Sequence, residues 1–128
     1  MSKARNISDS NLDNLTVNSD LDFNSGYGSA AIAYGCRAWV NFKGTSTVSV
    51  RESGNVSSVT DNGTGYFTLN FTTTMPDVNY NMTGSVSQAG ICCVANSPSP
   101  TTSALRVAVT DTSGNLADRN YVNVSIFR

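Results

Sequence analysis

From residue 32 to residue 43 the chain alternates with a period of two: Ile32, Tyr34, Cys36, Ala38, Val40 and Phe42 are apolar on one side, and Ala33, Gly35, Arg37, Trp39, Asn41 and Lys43 occupy the other. Successive side chains of an extended strand point to opposite faces, so this pattern predicts a half-buried antiparallel strand. The same period returns along the chain. Gly44-Thr45-Ser46 predicts a short turn into a strand with Val48 and Val50 inward, and pairing of Lys43 with Thr47 would set Trp39 across from Arg51. Val56 and Val59 lead into Asp61-Asn62-Gly63-Thr64-Gly65, a tight-turn sequence, and Phe67, Leu69 and Phe71 lead out. Beyond the break at Met75-Pro76-Asp77, Val78, Tyr80, Met82 and Val86 alternate with Asn79, Asn81, Thr83 and Ser85. Ile91-Cys92-Cys93-Val94 reads as a strand buried on both faces, ended by Ser97-Pro98-Ser99-Pro100. A last hairpin is expected to join Leu105, Val107 and Val109 to Val122, Val124 and Ile126. The expectation is an all-β protein, an antiparallel β-sandwich of about seven strands with an extended N-terminal arm.

Composition supports that class. Asn, Ser and Thr make up 47 of 128 residues, and these side chains compete with helical hydrogen bonds while favouring turns and caps. A disordered chain can share such polarity, yet 39% of this one is hydrophobic and regularly spaced. Two segments are expected: an attachment and oligomerisation arm over residues 1–30, and a sandwich domain over 31–128. Within the arm Leu15, Val17, Leu21 and Phe23 are the apolar residues available for docking on another subunit or on the rest of a particle.

Charge limits the partners. Only 13% of residues are charged, the net charge is -1, and no Lys or Arg run is present, which argues against nucleic acid and anionic membrane surfaces as partners. No apolar stretch approaches the roughly 20 residues of a membrane span, so no membrane insertion is expected. The opening residues Met1 to Asn6 lack the apolar stretch of a secretory signal, so synthesis in a cytoplasm is expected. Histidine is absent, which removes Ser-His and Cys-His mechanisms. Cys36, Cys92 and Cys93 have no metal-ligand spacing. Asp61, Asp77, Asp111 and Asp118 fall in turns, where Asp caps backbone N–H groups. No enzyme activity, no catalytic or metal site and no cofactor is expected.

Candidate contact residues are Arg37, Trp39, Lys43 and Arg51 on the polar face of the first hairpin, and Tyr66 beside the glycine turn. An aromatic ring flanked by cations suits packing against a partner subunit or stacking on a sugar. Trp39 is alternatively covered by the second sheet or by the arm, with Arg51 over its ring.

Residues 36–45 (CRAWVNFKGT), 50–65 (VRESGNVSSVTDNGTG) and 69–77 (LNFTTTMPD) together resemble a module recurrent in tail-fibre and related virion proteins of bacteriophages, notably of marine and cyanobacterial hosts. The similarity spans roughly residues 34 to 128, and the first five residues also look like the start of such proteins. It implies a β-rich, non-catalytic virion subunit made in the host cytoplasm, a homo-oligomer, commonly a trimer, bound to other virion proteins through its arm. A short tail fibre in host attachment, with a host-surface glycan as a partner, is the first expectation. A capsid decoration (cement or head-fibre) protein is the second. A free-standing carbohydrate-binding module using Trp39, Tyr66 or Tyr80 as stacking platforms is the alternative of another class.

Overall fold

Where the alternating residues form strands, their inward side chains meet across two sheets. The computed structural model describes residues 34–128, together with the backbone of two short strands, β1 (Asp22–Phe23) and β2 (Ala31–Ile32). The chain divides into two units between Ala33 and Tyr34. In the first, β1 and β2 pair antiparallel through Asp22 with Ile32 and Phe23 with Ala31. Leu15, Val17 and Leu21, and the side chain of Phe23, lie outside the described residues.

The second unit holds β3 (Cys36–Lys43), β4 (Ser49–Gly54), β5 (Val56–Asp61), β6 (Tyr66–Phe71), β7 (Asn81–Val86), β8 (Gly90–Val94), β9 (Ala104–Asp111) and β10 (Val122–Phe127). They form two four-stranded sheets, β4-β3-β10-β7 and β5-β6-β9-β8, with every pairing antiparallel. This is the β-sandwich that the alternation calls for, with eight strands in place of about seven. Ala38, Val40 and Phe42 of β3 and Val122, Val124 and Ile126 of β10 are buried from one sheet. Phe67 and Leu69 of β6 and Leu105, Val107 and Val109 of β9 are buried from the other. Phe42 and Phe67 meet edge to face at 5.1 Å, joining the two sheets. Each such large side chain contributes roughly 1.5–3 kcal/mol by leaving water.

Asn55 stands where the chain crosses from one sheet to the other. It separates β4 from β5 by a single residue and has φ of 57°, a left-handed conformation that Asn tolerates better than most residues. Its side-chain Nδ2 donates to the carbonyls of Arg37 (3.1 Å) and Thr73 (3.0 Å), and its Oδ1 accepts from the Thr73 N–H at 2.7 Å. The Asn55 carbonyl accepts from the Thr72 N–H at 3.2 Å. A second crossing joins β7 to β8 through residues 87–89, where Gln88 has φ of 64°. There Arg119 donates to Gln88 Oε1 at 2.6 Å and to the Ala89 carbonyl at 3.2 Å.

Several local expectations are corrected. The β3–β4 loop is longer than a tight turn, because the Gly44 N–H is held by the Arg119 carbonyl at 2.9 Å and Ser46 takes φ of 57°. Lys43 therefore pairs with Ser49, Arg51 is the extra residue of a bulge, and Trp39 lies opposite Gly54 rather than Arg51. The strand starting at Ile32 is shorter than its pattern: β3 begins at Cys36, which is exposed because a bulge sets it opposite Phe127. Residues 91–94 are not buried on both faces. They form β8, an edge strand with Ile91 58% and Val94 41% exposed. Finally, β9 and β10 do not pair as a hairpin but face each other across the core. The turn after β9 closes on itself through Asp111 N–H to the Asn115 carbonyl (2.8 Å), and Ala117 N–H returns to the Val109 carbonyl (3.0 Å).

Substituting Asn55→Ala is expected to cost roughly 2–3 kcal/mol, from left-handed backbone strain and three lost side-chain hydrogen bonds. Asn55→Gly should cost about 1 kcal/mol less, since glycine removes the strain but not the lost bonds. Urea unfolding of the two variants checks this ordering, and equal losses would contradict it.

Candidate functional site

The residues singled out from the sequence do not converge on one site. Arg37, Trp39 and Lys43 lie on β3 and Arg51 on β4, all on the outer side of the first sheet, whereas Tyr66 begins β6 on the outer side of the second. Trp39 is 41% exposed and lies against Gly54, where a Cβ atom would collide with its indole Nε1 and Cδ1. The second sheet does not cover it, and Arg51 does not stack on it. Arg51 instead sits 4.0 Å from the centre of the Tyr121 ring. Its guanidinium also donates to the Asn120 carbonyl at 2.8 Å and to Asn41 Oδ1 at 3.3 Å.

From there a row of polar side chains crosses the sheet. Asn41 Nδ2 donates to Asn123 Oδ1, and Asn123 Nδ2 donates to Ser85 Oγ at 3.3 Å. Arg51, Asn41, Asn123 and Ser85 thus tie β4, β3, β10 and β7 together on the solvent side. The arrangement is structural bracing, since its polar atoms are committed to one another.

On the opposite face Arg106 lies 4.7 Å from the centre of the Tyr66 ring and donates to the Ser97 carbonyl at 3.2 Å. Beside it Tyr66, Cys93, Val94, Ala95, Asn96, Ser97 and Ala108 line a hollow of about 290 Å³. Arg106 was not singled out, because which residue faces Tyr66 depends on the β6–β9 register, set by a strand almost forty positions away. Tyr80 is no free platform either. Its ring packs edge to face on Phe71 at 5.9 Å, and its hydroxyl donates to the Thr101 carbonyl at 3.0 Å.

The turn carboxylates act as caps. Asp61 accepts from the Gly63 N–H, Asp118 from the Gly65 N–H, and Asp111 from the Ser113 and Asn115 N–H groups, at 2.8–2.9 Å. Among the described residues no three His, Cys, Asp or Glu side chains gather as metal ligands. Cys92 points into the core, and burial together with neighbouring Cys93 pushes its thiol up to about 12.

The four edge strands differ in a way the sequence did not disclose. On one flank, β4 carries a bulge at Arg51 and the charges of Arg51 and Glu52, and β5 carries a bulge at Ser57 and ends in Asp61. On the other flank, β7 (NMTGSV) and β8 (GICCV) have unbroken registers and no Asp, Glu, Lys or Arg. Bulges and charges keep an edge from recruiting another strand; the β7–β8 flank lacks both and exposes Ile91 and Val94. Because Ala95 N–H binds the Arg106 carbonyl, alternation turns the main-chain groups of Cys92 and Val94 toward the open side of β8.

Comparison with models of protein families, with characterised proteins and with solved structures found no match.

Two carboxylates give the fold a defined acid limit. The Arg128 hydrogen bond, then the Asn79 N–H, holds Asp77 below its ordinary 3.8, and bonds from Asn115 and Ser113 do the same for Asp111. Groups with lowered folded-state values stabilise the fold above their unfolded value and lose that contribution as pH falls through the folded one. The urea midpoint should therefore hold above 3.8 and decline below it, and Asp111→Asn should make the decline shallower. An identical acid profile for the variant would contradict the assignment.

Proposed function

We propose that this chain is a non-enzymatic structural subunit of a bacteriophage particle, a short tail-fibre or tail-associated protein that assembles with copies of itself and takes part in host attachment. The observation that carries the structural part of this reading is the contrast between the two flanks of the sandwich. A regular, uncharged, partly apolar edge suits a module whose edge is covered in an assembly. The phage context rests on the resemblance of residues 36–77 to virion modules, which also implies a trimer and attachment to other virion proteins through residues 1–30.

Contact through β8 would use the outward main-chain groups of Cys92 and Val94 for hydrogen bonds and Ile91 for apolar burial. The absence of charge on β7 and β8 means that an approaching copy meets no like-charge repulsion there. Repetition of one weak surface contact in an oligomer then strengthens adhesion to a repetitive host surface.

Ile91→Lys places a charge on the open edge, with no cost expected to a core that this side chain does not enter. By sedimentation, the full-length protein is expected to run as an oligomer and the variant as a monomer with unchanged far-ultraviolet circular dichroism. A variant that assembles as fully as the parent would contradict the interface. Immunogold microscopy with antibodies against residues 34–128 tests the location on particles. Gold at the tail is the expected result; gold on the capsid would replace this reading with decoration, and unlabelled particles would contradict both.

A further inference from the structure

We infer that the outer surface of the first sheet carries a binding site for a neutral saccharide, in a hollow lined by Tyr34, Asn79, Asn81, Phe127 and Arg128. The hollow measures about 350 Å³, within the range of roughly 300–1,000 Å³ usual for small-ligand pockets. None of these five residues belongs to the polar row that braces the sheet.

The apolar part of the site comes from two rings. Phe127 occupies an outward position at the end of β10, opposite Asn81 of β7. Tyr34 precedes β3 and is 75% exposed, the most exposed large hydrophobic side chain among the described residues. A sugar ring presents C–H groups on its faces and hydroxyls around its rim. Aromatic faces with polar groups at their margin match that division.

The polar part is equally selective. Asn79 is fixed by its own N–H, which donates to Asp77 Oδ1 at 2.8 Å. Among the described residues, the side-chain amides of Asn79 and Asn81 and the Tyr34 hydroxyl take part in no hydrogen bond, and all three residues line the hollow, where an amide or hydroxyl can both donate and accept. Arg128 is clamped to Asp77, with Nε to Oδ1 at 3.0 Å and Nη2 to Oδ2. That pairing cancels the cation locally, which disfavours an anionic ligand, and its remaining donor and acceptor capacity suits hydroxyl groups. A wholly apolar ligand would bury two amides without partners, at a desolvation cost that a polyol avoids.

The site deepens the host-attachment reading and rests on it for biological meaning, whereas its chemistry does not depend on where the chain resides. Saturation-transfer difference NMR of the full-length protein with the methyl glycosides of glucose, galactose, mannose and N-acetylglucosamine tests it. At least one glycoside is expected to receive transfer, strongest at ring C–H protons. Tyr34→Ala and Asn81→Ala should weaken that binding by about tenfold or more, while Trp39→Ala leaves it unchanged. Both positions are exposed, so the circular dichroism should match the parent. No transfer to any of the four probes, or transfer that survives both substitutions, would overturn the site. Transfer lost in both variants of a chain that is absent from particles would keep the site and remove the attachment reading.

Discussion

The crossing at Gly54 and Asn55 is the constraint on which the two-sheet arrangement depends. A strand can pass between packed sheets only by turning sharply, and here one left-handed residue does so, with its side chain bonded to the start of β3 and to the segment following β6. Gly54 allows the turn to lie close to the sheet, because the Trp39 indole occupies the space that a Cβ would need. The exposed tryptophan on the polar face thus has a packing role: it covers the corner. The second crossing, at Gln88, is held from outside by Arg119, whose carbonyl also fixes Gly44 in the β3–β4 loop. Side-chain hydrogen bonds in loops therefore position both flanks of the sandwich.

Those crossings give the flanks different chemistry. The β4–β5 flank follows from a chain that needs bulges at Arg51 and Ser57 to reach and leave its corner, and bulged, charged edges do not recruit further strands. The β7–β8 flank is regular and uncharged. On the proposed reading as a particle subunit, which must stay soluble while free yet associate when assembled, confining an adhesive edge to one flank would reconcile those demands. The proposed saccharide hollow lies where β7 begins and β10 ends, so the edge strand β7 supplies one of its amides, Asn81, while its rings come from Phe127 of β10 and from Tyr34 ahead of β3.

Much of the sandwich was legible because alternation is a local property. Ala38-Val40-Phe42, Phe67-Leu69-Phe71 and Val122-Val124-Ile126 declare their inward faces without knowledge of any partner, and the Asn62-Gly63 turn declares its hairpin. Pairing is not local. Nothing near Val109 or Val122 shows that the intervening segment crosses to the other sheet, since that depends on Gly65 and Val109 meeting through a 2.7 Å hydrogen bond. The apolar run 91–94 misled for a related reason: high hydrophobicity marks a partly exposed edge strand as readily as a strand covered on both faces. The contact residues fared unevenly. Trp39 and Arg51 were rightly placed on an outward face, but a one-residue bulge separated them, and Arg51 found Tyr121 instead. Tyr34 was read as an inward residue of the 32–43 alternation but precedes β3 and is 75% exposed, and Phe127 was passed over; each falls at a strand end, where neighbours depend on register.

Hydrogen exchange along β8 offers the most direct test of a subunit with one adhesive edge. In the full-length protein at concentrations that favour assembly, the outward amides of Cys92 and Val94 should exchange far more slowly than after dilution, while the exposed amides of β4 and β5 keep the same rate in both. Equal exchange at Cys92 and Val94 across that range, or slowing confined to β4 and β5, would contradict the account.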